Sequence, residues 1–153
     1  MSNGKKIMPS VLELSFGVDR NLWMLLDVFY TKDQERSILK MPKFLAPYQV
    51  AVFPLQKDEK INGMAEQIRK ELSIKFKVVS DSAGSIGRRY ARMDDIGTPY
   101  CVTVDFDTVE KSAEGYNSVT VRDRDDKTQK RIEVEGLASF FAKAFDMPYR
   151  PKE

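Results

Sequence analysis

Runs of apolar residues alternate along this chain with stripes at helical spacing. Gln49–Leu55 reads as a strand, and Ile61, Met64, Ala65, Ile68 and Leu72 then recur at steps of three and four. That spacing predicts a helix over Ile61–Leu72 with those side chains inward. Phe76–Ser80 reads as a second strand, and Ser85–Ile96 as a second helix with Ile86, Tyr90 and Met93 as its buried stripe. Tyr100–Asp105 is the third strand of the series. Strands joined by helices in this way build parallel βαβ units with right-handed crossovers. Ser118–Arg122 and Lys130–Val134, separated by a polar turn, predict an antiparallel hairpin. Leu137–Phe145 closes the chain's pattern as a helix that buries Leu137, Phe140, Phe141, Ala144 and Phe145. The sum is an α/β fold, a mixed five-stranded sheet flanked by helices.

The first forty residues read differently. Val11–Phe16 alternates loosely and predicts a strand, followed by an apolar helix over Asn21–Tyr30. Leu22, Leu25, Leu26 and Phe29 occupy one side of that helix, Trp23 and Tyr30 another, so it expects burial on several sides. Thr31–Lys40 is polar, and Pro42 and Pro47 bracket a short extended connector. The boundary falls there, giving a strand–helix appendage over residues 1–40 and a main unit over residues 41–153. The chain has no internal repeat and no low-complexity tract.

At 153 residues the chain has the size of one domain with an appendage. Lysines and arginines number 25 against 23 acidic residues, and a net charge of +2 does not by itself argue for nucleic acid. There is no histidine and one cysteine, Cys101, which excludes catalytic histidines, Cys–His nucleophile pairs and His/Cys zinc sites. No metal site is expected. Cys101 lies in an apolar strand as a buried small hydrophobe, and a reducing compartment fits. No stretch approaches the roughly 20 apolar residues of a membrane span, and the opening residues 1–6 lead into no signal-peptide apolar run. A soluble cytoplasmic chain without a membrane partner is expected.

Charge distribution carries more than charge balance. Residues 81–97 run from a strand through a small-residue turn into a helix that opens with Arg88, Arg89 and Arg92. Arg88 and Arg92 stack at i and i+4 beside the free N–H groups of a helix start, an arrangement suited to a polyanion. A second basic cluster comprises Arg122, Arg124, Lys127, Lys130 and Arg131, with Asp123, Asp125 and Asp126 interleaved. Either cluster could equally be solvated surface. In open α/β sheets ligands gather at the carboxyl ends of the strands. Those ends carry Asp81–Ser85 and Asp105–Thr108, with the turn Asp123–Lys127 expected nearby. Single-stranded RNA is read by stacking splayed bases and bonding their edges. Phe106 suits stacking, Arg88 and Arg92 suit phosphates, Arg122 or Arg124 suits base edges, and Arg89 stands with them as a candidate RNA contact. Asp105, Asp107 and Asp123 offer carboxylate acceptors beside them.

Several long blocks, in collinear order from about Ile7 to about Phe145, give this chain a family likeness. Residues 81–97, Tyr100–Val109 and Thr120–Asp125 resemble the anticodon-binding domain of eukaryotic/archaeal-type glycyl-tRNA synthetase, and Leu45–Leu55 is similar to the entry to its first strand. Upstream, Val11–Arg20 is similar to motif 3 of the class II catalytic core. The resemblance implies recognition of the anticodon of glycine tRNA, whose second and third positions are cytidines. It implies that the whole enzyme attaches glycine to tRNA with ATP and Mg²⁺. It assigns Arg20 to ATP contact and Glu13 and Ser15 to glycine recognition, while Leu14 stands where the family usually has proline. Motifs 1 and 2 are not found in this chain. Glu13, Ser15 and Arg20 are therefore parts of a site that needs further sequence, and the chain alone is expected to be inactive and to hold no cofactor. Its expected partners are glycine tRNA and either the rest of a synthetase or a second copy of itself.

Two other classes are weighed beside this one. The same fold resembles the C-terminal domain of the mitochondrial DNA polymerase accessory subunit, a non-catalytic nucleic-acid-binding role. The block Gly84-Ser85-Ile86-Gly87-Arg88-Arg89-Tyr90-Ala91-Arg92 favours the synthetase. A nucleotide-binding α/β enzyme finds neither a phosphate-loop signature nor a catalytic base.

Overall fold

The computed structural model describes residues 4, 8–33 and 36–146. Ile7, the first residue of the family likeness, the first residues of the expected appendage and the last residues of the expected main unit lie outside them. The core is a five-stranded sheet of β3 (Val50–Pro54), β4 (Val78–Ser80), β5 (Tyr100–Val104), β6 (Ser118–Asp123) and β7 (Gln129–Glu133), in the order β4-β3-β5-β6-β7. β4 and β5 flank β3 in parallel, β6 runs antiparallel to β5, and β7 antiparallel to β6. This is the expected mixed sheet.

Side-chain alternation divides β3 and β5 between two layers. Val50, Val52, Tyr100, Val102 and Val104 face Ile61, Ala65, Ile68 and Leu72 of α2 (Glu59–Ser73), with Leu137 and Phe141 of α5 (Leu137–Phe145). Ala51, Phe53 and Cys101 face Met93 of α3 (Ile86–Asp95) on the opposite side, with Ile86 and Tyr90 packed around them. α2 begins where Asp58 caps it, its carboxylate accepting from the N–H groups of Lys60 and Ile61. Phe76 falls outside β4 because it packs edge-on against Phe141 and beside Phe145, joining the aromatic cluster under the sheet.

The appendage departs from expectation. Residues 11–16 form no strand: Val11, Leu12, Leu14 and Phe16 are exposed and pair with no strand among the described residues, and a lone extended segment has no ladder to hold it. Helix α1 starts earlier than expected, spanning Val18–Phe29, and buries none of its residues. The polar stretch after it is a hairpin of β1 (Tyr30–Asp33) and β2 (Arg36–Leu39), with Tyr30 opposite Leu39. Ile38 and Leu39 are buried, and β2 packs on α3 of the main unit. The turn after α3 permits that approach. Gly97 has φ +79°, and a Cβ there would press on the Leu39 carbonyl oxygen at 2.9 Å.

Candidate nucleic-acid interface

At the carboxyl ends of β3, β4 and β5 the chain places the loop after Pro54, the turn Asp81–Ser85, and α4 (Phe106–Val109). Arg92 stitches the second of these to α3. Its guanidinium bonds the Asp81 carboxylate and the Ala83 carbonyl, while the Ala83 N–H donates to Asp81 Oδ1. Burial pushes the Asp81 carboxyl up, but the Ala83 and Arg92 hydrogen bonds and the Arg92 charge bring it below its ordinary range. Arg88 projects from the same helix, exposed and without a side-chain partner among the described residues.

α4 exists because Asp105 caps it. The Asp105 carboxylate accepts from the N–H and hydroxyl of Thr108, and Thr108 Oγ1 accepts from the Asp105 N–H in return. The same carboxylate takes a bidentate bond from Arg131 of β7, at 2.8 and 3.0 Å. Phe106 follows at 46 % exposure, stacked on no other ring among the described residues, with Asp107 exposed beside it.

The expected arginine and aspartate set divides. Arg88, Arg92, Phe106 and Asp107 reach solvent at the carboxyl end. Asp105 stands there too, with both carboxylate oxygens committed to Thr108 and Arg131. The remaining four are corrections. Arg89 is 5 % exposed and spends its guanidinium on the carbonyls of Pro54 and Gly84. Arg122, also 5 % exposed, forms a fork with Asp94 and lies over the Tyr90 ring. Arg124, at 2 %, donates to the carbonyls of Leu39, Met41 and Gly97 and to Asp125. Asp123 accepts from Lys43 at 2.7 Å. Arg89, Arg122 and Arg124 satisfy the fold's own buried carbonyls or charges and are withdrawn from solvent, while Asp123 is half-buried against Lys43.

The turn Asp123–Lys127 also lies at the wrong end for the expected site. Tyr100, the first residue of β5, pairs with Asp123, the last of β6. The β6–β7 turn therefore leaves the sheet at the amino end of β5, opposite Asp105. Arg131, from β7, is the basic residue of that cluster which returns to the carboxyl end. Lys57 and Tyr116, both exposed on loops of this end, are further polar and aromatic groups that the sequence pattern did not single out. The signal available for Tyr116 was an aromatic within the otherwise polar stretch Glu114–Asn117.

Glu13, Ser15 and Arg20 stand together only in sequence: Glu13 and Ser15 are exposed on the extended segment and Arg20 on the first turn of α1. No described hydrogen bond joins their side chains.

This α/β sandwich with two parallel crossovers and a closing hairpin is a fold shared with a solved synthetase RNA-binding domain. The RNA-binding domain of threonyl-tRNA synthetase from Cryptosporidium parvum superposes with a TM-score of 0.58 at 23 % identity, covering 68 % of this chain and 25 % of that one. The chain belongs to the anticodon binding domain family, whose pattern it matches over residues 49–144. It is 47 % identical over 137 residues to the glycine–tRNA ligase of Thermococcus gammatolerans, covering 89 % of this chain and 23 % of that protein. The glycine–tRNA ligase of Borreliella burgdorferi is 40 % identical over 141 residues, covering 89 % of this chain and 31 % of that protein. This chain thus spans about a quarter to a third of the length of these relatives. No helix among the described residues is long and apolar enough to cross a membrane.

Proposed function

We propose that this chain is the anticodon-recognising portion of a cytoplasmic glycine–tRNA ligase, binding the anticodon loop of glycine tRNA at the carboxyl end of its sheet. One observation carries the reading of the face: Phe106 and Arg88, both exposed and without a ring or side-chain partner among the described residues, stand at the same sheet end in a member of the anticodon binding domain family. Phe106 supplies a stacking plane, Arg88 and Arg92 supply phosphate contacts, and Asp107 supplies an acceptor for a cytosine amino group. The identity to glycine–tRNA ligases supports glycine tRNA as the RNA bound.

Residues 1–40 belong, on this reading, to the catalytic core, with Glu13, Ser15 and Arg20 placed at the glycine and ATP sites when the rest of that core surrounds them. ATP and Mg²⁺ would supply activation of the glycine carboxyl in that assembled enzyme. The exposed apolar side chains of α1, Leu22, Trp23, Met24, Leu26 and Val28, are the contact for the remainder of the synthetase. Residues 41–153 form the recognising unit. Fluorescence titration of the anticodon stem-loop tests the assignment. Replacing Arg88 with alanine should reduce the salt slope by about one, the mark of a lost phosphate contact. An unchanged slope removes Arg88 from the interface.

A further inference from the structure

Arg131 reaches from β7, where it pairs with Thr120, to the loops on both sides of α4. Its Nη1 and Nη2 fork onto Asp105, Nη2 also donates to the carbonyls of Gly115 and Ser118 at 3.1 and 3.2 Å, and Nε donates to Ser118 Oγ at 2.8 Å. The guanidinium sits in space that only glycine leaves free, since a Cβ on Gly115 would collide with it. One side chain thus ties together the segment entering α4 and the segment leaving it. Asp105, its principal partner, is the residue that caps α4 and immediately precedes Phe106.

We propose that Arg131 is a positioning residue for RNA recognition: it fixes α4 so that Phe106 meets a base in a set orientation. The inference rests on the assignment of this face to the anticodon loop. Arg131 is only about one-third exposed, and Nε, Nη1 and Nη2 each already donate to the protein, so its action passes through Phe106 and not through a phosphate of its own. An aromatic held by a rigid turn binds a base more tightly than one that must be ordered first. A lysine cannot replace it, because an ammonium lacks the planar fork that holds Asp105 at two points.

A double-mutant cycle on the full chain tests this, with the anticodon stem-loop of glycine tRNA as the probe. Phe106→Ala should weaken binding about tenfold, the scale of one lost base stack. Arg131→Met and Arg131→Lys should each weaken it about fivefold with the salt slope unchanged. Either substitution should add less than twofold once Phe106 is alanine. Gly115→Ala, which displaces the guanidinium and leaves Arg131 in the chain, should repeat the Arg131→Met result and keeps the cycle available if that variant unfolds. A loss that multiplies with Phe106→Ala, a salt slope lowered by about one, or rescue by lysine overturns the positioning role. If Phe106→Ala weakens binding and the Arg131 and Gly115 variants do not, this inference fails and the RNA face stands. If Phe106→Ala itself binds as the parent chain does, both fall.

Discussion

Asp94 of α3 grips Arg122 of β6 through two hydrogen bonds of 2.9 and 3.0 Å, with both side chains withdrawn from solvent. This fork joins α3 to the antiparallel half of the sheet. Burial works against the Arg122 charge, but the Asp94 carboxylate overcomes it and holds the guanidinium above its usual range. Removing either partner leaves the other charge buried and uncompensated. Asp94→Ala or Arg122→Met should therefore destabilise the chain by about 3–5 kcal/mol, measured by urea unfolding. A loss below about 1 kcal/mol, the scale of an exposed pair, contradicts the account.

Arg124 plays a comparable part between the connector and the sheet. Its guanidinium holds the carbonyls of Leu39, Met41 and Gly97, three buried acceptors that belong to segments far apart in sequence. Arg124→Met should leave those carbonyls unpaired at a cost of about 1–3 kcal/mol each where water cannot enter. Residues 36–41 should then gain amide exchange and protease sensitivity ahead of the sheet. Unchanged protection of residues 36–41 would show that Ile38 and Leu39 hold the connector by packing alone.

Cys101 should behave as a core side chain. Burial pushes its thiol up to about 12, with Arg122 pulling weakly the other way. An aromatic disulfide reagent at pH 8 should therefore label native protein only as fast as it unfolds, and label unfolded protein at once. Rapid native labelling would mean that the β5 layer is open.

Acid should weaken the fold through the carboxyl-end loops. Burial raises the Asp105 carboxyl, but hydrogen bonds from Arg131 and Thr108 and the Arg131 charge leave it below its ordinary value of 3.8. Asp81 is lowered in the same sense. A carboxylate whose folded value is depressed contributes stability that is present above the unfolded value and lost as pH falls through the folded one. Stability should thus be level above about pH 5 and decline from about pH 4 downward. Asp105→Asn should flatten that decline, and an identical slope in the variant would assign it to other groups.

The main unit was legible because its periods are unambiguous. Ile61, Ala65, Ile68 and Leu72 fall on one helix face, and the β strands are separated by crossovers of the right length. The hairpin β1–β2 was not, because Thr31–Lys40 shows little apolar alternation and its burial comes from docking Ile38 and Leu39 on α3. The strand expected at residues 11–16 failed for the converse reason: alternation without a neighbouring strand makes no ladder. Among the arginines, composition could not separate Arg88 from Arg89, Arg122 and Arg124. What distinguishes them is whether a buried carboxylate or carbonyl lies within reach, which only the tertiary register decides. That same register, Tyr100 against Asp123, sent the β6–β7 turn to the far end of the sheet and brought Arg131 to the near one.

The most direct test of the central claim compares the anticodon stem-loop of glycine tRNA with the same stem-loop carrying uridine at its second or third anticodon position. Titrated at one fixed moderate salt concentration, each replacement should weaken binding by about 1–3 kcal/mol, as expected when an acceptor loses the amino donor it reads. Equal affinity for all three stem-loops would contradict recognition of the glycine anticodon by this chain.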